Sequence, residues 1–122
     1  MKIFFDGGCR PNPGAMEIAA VAQGRAYVRQ DIGQGSSFDA EWLALIYAVE
    51  VAGLLGVKDV ALLGDSATVV GQASGRVKCR GDAIAHHARF MASIPAGTSV
   101  RVRLIKRTQN LAGIALARLH DR

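Results

Sequence analysis

Three acidic residues of this 122-residue chain, Asp6, Glu41 and Asp65, have the chemistry of a cation site. Asp6 and Asp65 each end an apolar segment typical of a strand, so both would lie at one sheet edge if those strands were parallel neighbours. Mg²⁺ and Mn²⁺ prefer carboxylate oxygens, and a pair of such ions can activate water for phosphodiester hydrolysis. A simpler interpretation competes, because an acid at a strand end is also a common turn former or helix cap.

The elements that would position these acids form an α/β pattern. The predicted strands cover residues 2–6, 17–23, 25–32, 60–64 and 99–106, and the predicted helices cover residues 39–55, 66–73, 82–93 and 110–119. Gly24 predicts a tight hairpin between the second and third strands, and Ser36, Ser37 and Asp39 are candidate caps of the long helix. Glu41 falls in the first turn of that helix, beside its buried stripe. We therefore expect one α/β domain over residues 1–122 with three acids at one cleft.

The charge distribution favours a polyanionic partner. Lys and Arg number 15 and Asp and Glu number 10, which gives a formal charge of +5. Between residues 76 and 107 the only acid is Asp82, whereas the bases are Arg76, Lys78, Arg80, Arg89, Arg101, Arg103, Lys106 and Arg107. The segment 76–107 is therefore the candidate binding surface. The alternative is a basic face that only keeps the protein in solution.

The two cysteines and the apolar segments exclude several classes of protein. Cys9 and Cys79 are far apart and have no neighbours at zinc-ligand spacing, so neither a disulfide framework nor a zinc site is predicted. No apolar stretch approaches the length of a membrane span, and the first residues lack a leader pattern. We expect a reduced, cytoplasmic protein without a membrane partner or an obligate protein partner.

Four segments, DGGCRPNPG, DAEWLALIYAVEVAGLLGV, VALLGDSATVVGQASG and RTQNLAGIALARL, occur in an order and spacing that resemble the type 1 ribonuclease H family over essentially the whole chain. The resemblance implies a five-stranded mixed sheet of order 3-2-1-4-5 flanked by helices, with Asp6, Glu41 and Asp65 as catalytic and metal-binding residues for Mg²⁺ or Mn²⁺. It implies that the partner is an RNA/DNA hybrid or another nucleic-acid duplex, recognised through shape and sugar hydroxyls.

The same resemblance implies the substrate contacts. Cys9 and Asn12 would lie against the substrate backbone near the minor groove, and Arg107 takes the place of a family histidine. Lys78 and Arg80 could contact phosphates from the basic loop. The full set of expected substrate-binding residues is Gly7, Cys9, Asn12, Ser66, Lys78, Arg80, Arg107 and Asn110.

The chain departs from the family pattern in its last helix and at two substrate contacts. Aligning Asn110 with the family's asparagine puts Ile114 at the position of a fourth carboxylate, and a shift of one residue puts Gly113 there instead. Neither side chain can bind a metal, so we expect weakened catalytic activity. By the same resemblance, Phe38 occupies the usual position of an Asn that contacts substrate, and Ala67 stands where the larger family members often carry a substrate-contacting Gln.

The sequence predicts structural roles for one tryptophan and two adjacent histidines. We expect Trp42 to pack in the core, and His86 and His87 to be surface or packing residues, because adjacent helical residues point in different directions.

Three functions are compatible with these residues. The first is an endonuclease that cuts the RNA strand of RNA/DNA hybrids. The second is a nucleic-acid-binding module that has the fold and the acids but lacks efficient catalysis, as Ile114, Phe38 and Ala67 suggest. The third is a nuclease of the same fold with another substrate.

Overall fold

The computed structural model describes residues 1–120, which form a mixed β-sheet with helices on both faces. Its strands are β1 (Lys2–Cys9), β2 (Gly14–Ala22), β3 (Arg25–Arg29), β4 (Gln34–Gly35), β5 (Asp59–Gly64) and β6 (Ser99–Leu104). Its helices are α1 (Ser37–Leu54), α2 (Ala67–Ala73), α3 (Asp82–Ser93) and α4 (Leu111–Leu119), and a short 3₁₀ turn covers Arg107–Gln109. The predicted α/β architecture is confirmed.

The order of the strands brings β1 beside β5. The main path is β3-β2-β1-β5-β6, in which β1 and β5 are parallel and β1, β2 and β3 form an antiparallel meander. The strands β5 and β6 correspond to the fourth and fifth strands predicted from the sequence. The expected order 3-2-1-4-5 is therefore confirmed. The sheet differs by one additional strand, the two-residue β4, which pairs with β2 through Gly14 and Ala15.

The first strand is longer than predicted, and this changes the setting of Asp6. The pairing with β2 continues from Asp6 through Gly7 and Gly8 to Cys9, which lies opposite Met16. The prediction that Asp6 ends its strand is therefore wrong, because the two glycines extend the ladder instead of turning the chain. Asp65 does follow the last residue of β5, as expected.

The two faces of β1 have different partners. Ile3, Phe5, Gly7 and Cys9 are buried, whereas Phe4, Asp6 and Gly8 between them are partly exposed. The first set faces α1, and Phe4 packs with Ala112 and Leu116 of α4 on the opposite side. Because strand side chains alternate, Asp6 lies on the α4 side of the sheet.

The hairpin and the cap predicted from turn chemistry are confirmed. Gln23 and Gly24 both have positive φ, and the β2–β3 ladder starts directly beside them with Ala22 opposite Arg25. Ser36 caps α1: its Oγ accepts a hydrogen bond from the Asp39 N–H, and Asp39 Oδ2 accepts one from the Ser36 N–H.

The main core lies between the sheet and α1. Trp42, Phe5 and Phe90 are among its largest fully buried side chains, so the packing role predicted for Trp42 is confirmed. Within residues 1–120, no helix combines the length and the apolarity that crossing a membrane would require.

Candidate active site

Three carboxylates from three different elements converge at one end of the sheet. Asp6 extends from β1, Glu41 from the first turns of α1, and Asp65 from the residue after β5. One oxygen of each lies within 4.8 Å of the others. The adjacency of β1 and β5 brings the two aspartates together, and the docking of α1 against β1 adds the glutamate.

Glu41 enters this cluster because β1 and α1 approach each other closely at Gly7. A Cβ atom at Gly7 would lie only 2.1 Å from the Ala40 carbonyl oxygen, so no other residue fits there without moving the helix. The Gly7 N–H donates a hydrogen bond of 3.0 Å to Glu41 Oε1. Gly7 therefore both permits the approach and orients the carboxylate.

The second oxygen of Glu41 is buried without a hydrogen-bond partner among residues 1–120. A buried carboxylate oxygen left in this way costs free energy unless a cation or a donor satisfies it. The donor set consists only of carboxylate oxygens, which is the chemistry that Mg²⁺ and Mn²⁺ prefer. The residues present therefore fit a divalent cation.

The electrostatics of the cluster agree with this fit. Burial raises the pKa of Asp6 to about 6, and the nearby charge of Asp65 adds to that rise. Burial also raises the pKa of Glu41 to about 9, and the nearby charge of Asp6 contributes to that rise. The carboxylates resist ionisation together because like charges repel in a poorly solvated site, and a bound cation would relieve that repulsion.

Asp65 is held by Asn110, the residue that caps α4. Asn110 Nδ2 donates to Asp65 Oδ2 and to the Phe5 carbonyl oxygen, both at 3.0 Å. Its Oδ1 accepts from the Ala112 N–H at 3.1 Å. Asn110 is fully buried, so its side chain orients Asp65 and is not exposed as the predicted substrate contact would require.

The carboxylates open into a cleft of about 720 Å³. Its other lining residues are of three kinds: the polar or basic Arg10, Ser37, Ser66, Thr68 and Arg107, the apolar Phe38, Ile114 and Ala117, and the glycines Gly7 and Gly113. The positive charge of Arg107 opposes the rise that burial causes in the pKa of Asp6. Arg10 and Arg107 thus add positive charge to the cleft that the acids share.

Comparison with known proteins assigns the chain to a family. A family model described as reverse transcriptase-like matches residues 4–120. The chain belongs to the reverse transcriptase-like family. The solved structures that it resembles include RNase H1 proteins, so it is an RNase HI-like domain.

Three known proteins illustrate the likeness. RNase H1 of Halobacterium salinarum NRC-1 superimposes with a TM-score of 0.84 and 27% identity, over 99% of this chain and 98% of that one. The N-terminal RNase H domain of Rv2228c from Mycobacterium tuberculosis superimposes with a TM-score of 0.79 and 27% identity, over 98% of this chain and 96% of that one. LC11-RNase H1 in complex with an RNA/DNA hybrid superimposes with a TM-score of 0.76 and 24% identity, over 94% of this chain and 91% of that one. This last likeness shows the shared fold alone.

The sequence also matches part of a longer protein. The bifunctional protein Rv2228c of Mycobacterium tuberculosis is 38% identical over 88 residues, which are 66% of this chain and 24% of that protein. This RNase HI-like domain thus spans about a quarter of the length of the curated relatives it matches.

The predicted substrate residues of the RNase HI-like domain fall into two groups. Gly7, Ser66 and Arg107 line the cleft, and Ser66 also caps α2 by accepting from the Val69 N–H at 3.3 Å. The others lie outside the lining. Lys78 and Arg80 are exposed on the loop between α2 and α3.

Cys9 and Asn12 do not line the cleft, but both contact a residue that does. Cys9 Sγ donates to Asn12 Oδ1 at 3.4 Å, and the same oxygen accepts from the Ser37 N–H at 3.1 Å. Ser37 lines the cleft itself. The two predicted residues thus connect to the cleft through Ser37.

Gly113 and Ile114 both line the cleft, so the structure leaves both alignments of the last helix open. A Cβ atom at Gly113 would lie 3.4 Å from Asp6 Oδ2, whereas the Ile114 side chain is 38% exposed. No residue of α4 is acidic. The assignment of Ile114 to the fourth carboxylate position stays a prediction.

Four cleft residues were not predicted from the sequence as site residues, namely Arg10, Ser37, Thr68 and Ala117. Arg10 and Thr68 stand close to Asp6 and Asp65 in sequence, just after the strands that carry those acids. Polar residues that closely follow the end of such a strand are therefore the signal that would have identified them.

Proposed function

We propose that this RNase HI-like domain hydrolyses the RNA strand of RNA/DNA hybrids with Asp6, Glu41 and Asp65 as catalytic residues. The observation that carries the proposal is the convergence of these three carboxylates within 4.8 Å at the base of an open cleft. The fold it shares with LC11-RNase H1, a protein known in complex with an RNA/DNA hybrid, supports the choice of substrate.

The three carboxylates would hold Mg²⁺ or Mn²⁺, which supplies charge neutralisation at the scissile phosphate and lowers the pKa of water. Gly7 and Asn110 keep Glu41 and Asp65 oriented for this task through the hydrogen bonds described above. Arg107 and Arg10 place positive charge on the cleft wall, where phosphate oxygens would approach. Ser66 and Thr68 add hydroxyl groups on the side of Asp65.

Exposed basic residues outside the cleft extend the proposed binding surface. Lys78 and Arg80 lie on the loop between α2 and α3, where they would contact phosphates at a distance from the scissile bond. Such contacts position a duplex without reading its sequence. We therefore expect a nuclease without sequence specificity.

A second candidate function, a nucleic-acid-binding module with weak catalysis, is favoured by the composition of α4. The helix brings Gly113 and Ile114 to the cleft, and it carries no carboxylate that could complete the coordination of a second cation. Weakened activity in Mg²⁺ is the corresponding expectation.

The experiment that tests the proposal uses three labelled duplexes, an RNA/DNA hybrid, double-stranded RNA and double-stranded DNA, each with Mg²⁺, Mn²⁺ or a chelator. Cation-dependent cleavage of the hybrid alone is the expected result. Binding of the hybrid without cleavage in either cation would favour the second function, and cleavage of another duplex instead would refute the choice of substrate.

A further inference from the structure

His86 of α3 contacts the first turns of α1 in three ways. Its Nε2 lies 2.8 Å from Asp39 Oδ1. Its ring stacks on Trp42, with centroids 6.0 Å apart and planes inclined by 8°, and meets the edge of Phe38 at 6.2 Å. The histidine therefore touches residues on both sides of Glu41 in the sequence.

The hydrogen bond with His86 completes the cap of α1. Asp39 Oδ2 accepts hydrogen bonds from the N–H and the hydroxyl of Ser36, and Asp39 Oδ1 accepts one from His86. Only 14% of the His86 side chain is exposed, which is consistent with a bridge between helices rather than a surface residue.

The first turns of α1 are thus held from two directions. On one side the Ala40 carbonyl packs against Gly7 of β1. On the other side His86 binds Asp39 and covers Trp42, which is itself fully buried. Glu41 lies between these contacts, and Phe38 of the same turn forms part of the cleft wall.

We propose that His86 is a positioning residue that fixes the first turns of α1 and thereby holds Glu41 in the geometry that binds the cation. Loss of the contact would let these turns shift, and a small displacement of one carboxylate weakens a site made of three. The inference rests on the proposed function for the reaction it serves, whereas its effect on cation binding is independent of any substrate.

Four variants separate the contributions of the histidine. His86→Phe keeps an aromatic ring over Trp42 but removes the donor to Asp39, and His86→Gln keeps a donor but removes the ring. His86→Ala removes both. His87→Ala is the matched control, because His87 also meets Trp42 edge-on, at 6.2 Å, but makes no hydrogen bond to α1 in the described structure.

The experiment measures Mn²⁺ affinity by calorimetry without nucleic acid, and then kcat and KM for hybrid cleavage. We expect His86→Ala and His86→Phe to weaken Mn²⁺ binding roughly tenfold, in line with other residues that orient metal ligands. We expect kcat to fall with KM unchanged, His86→Gln to recover most of the loss, and His87→Ala to match the wild type.

Wild-type Mn²⁺ affinity in both His86→Ala and His86→Phe would overturn the inference, and so would an equal loss in His87→Ala. If His86→Ala does not fold, the comparison of His86→Phe with His86→Gln decides the matter. If the wild type cleaves no hybrid, the proposed function fails, but the Mn²⁺ affinities still decide the role of His86.

Discussion

Asn110 and Asp65 are joined by a 3.0 Å hydrogen bond across 45 positions of sequence. The same Nδ2 atom binds the carbonyl oxygen of Phe5, the residue before Asp6. One fully buried amide thus connects the start of α4 with β1, which carries Asp6, and with Asp65, which follows β5. The orientation of the cluster and the stability of the last helix therefore depend on one side chain.

Replacing Asn110 by Ala should affect both properties. The change removes the cap of α4 and leaves the buried Phe5 carbonyl without its side-chain donor, at a cost of about 1–3 kcal/mol in the free energy of unfolding. Asn110→Asp should keep the cap but lose the donor, and it would place another acid beside Asp65. Urea unfolding and hybrid cleavage measure the two effects, and unchanged values for both variants would contradict the role of this residue.

Neutralising Asp65 should abolish cation-dependent cleavage and leave the fold intact. Asp65→Asn removes a ligand from the cluster and also reduces the repulsion among the three acids, so its melting temperature without metal should equal or exceed that of the wild type. The matched control is Glu50→Gln, because Glu50 is exposed and pairs only with Arg29 in the described structure. Cleavage by Asp65→Asn at the wild-type rate would remove Asp65 from the catalytic set.

The stability of the metal-free protein should fall as pH rises. Asp6 and Glu41 both have a pKa that is higher in the folded protein than in the unfolded chain, so the unfolded chain loses these protons first. The decline should begin near pH 4 and continue to about 6 for Asp6 and to about 9 for Glu41.

Urea unfolding in a chelator across this pH range tests that decline. Glu41→Gln should flatten the upper part of the curve, since its amide cannot titrate, whereas Glu50→Gln should not change it. Added Mn²⁺ should restore stability above neutral pH, because it binds the ionised carboxylates. A metal-free stability that rises with pH over this interval would show that the acids are not a repelling cluster.

An acid introduced at Ile114 should raise activity. An apolar side chain offers a cation no oxygen, so the wild type should work better with Mn²⁺, which binds such sites more tightly than Mg²⁺. Ile114→Asp should reduce the difference between the activities in Mn²⁺ and Mg²⁺. Gly113→Asp is the competing variant, since the Cβ of its side chain would lie 3.4 Å from Asp6 Oδ2. Titration of each cation with both variants identifies the productive position. Full wild-type activity in Mg²⁺ with no gain from either variant would contradict the prediction.

The basic loop should contribute to affinity through phosphates. Replacing Lys78 and Arg80 together by Ala should reduce the slope of log affinity against log salt by roughly one to two units. The measurement is hybrid binding across a series of salt concentrations. The double substitution of Arg25 and Arg29 on β3, at the far edge of the sheet, serves as the control and should leave the slope unchanged.

The sequence predicted the features of the fold that depend on local pattern. The alternation of apolar segments and turns predicted the strands and helices, and the motifs around Asp6, Glu41 and Asp65 pointed to the three acids. The strand order was implied by the resemblance to the type 1 ribonuclease H family. The end of β1 was wrong because Gly7 and Gly8 resemble a turn, whereas their pairing with β2 depends on a partner strand. No local pattern reports such a partner.

Two further features depend on contacts between distant segments. Asn110 was expected to face substrate, yet it is buried against Phe5 and Asp65, and the sequence carries no sign of that contact. His86 was expected to be a surface or packing residue, and its hydrogen bond to Asp39 depends on how α3 docks on α1. Side-chain roles that arise from the crossing of two helices cannot be read from either helix alone.

The contact between Gly7 and Ala40 has a consequence for folding. The Gly7 N–H donates to Glu41 within this contact, so its proton can exchange with solvent only when β1 and α1 separate. The strand and the helix that meet there also enclose the main core. Docking of the core and assembly of the carboxylate cluster are therefore a single event, and an undocked α1 leaves the chain without a site.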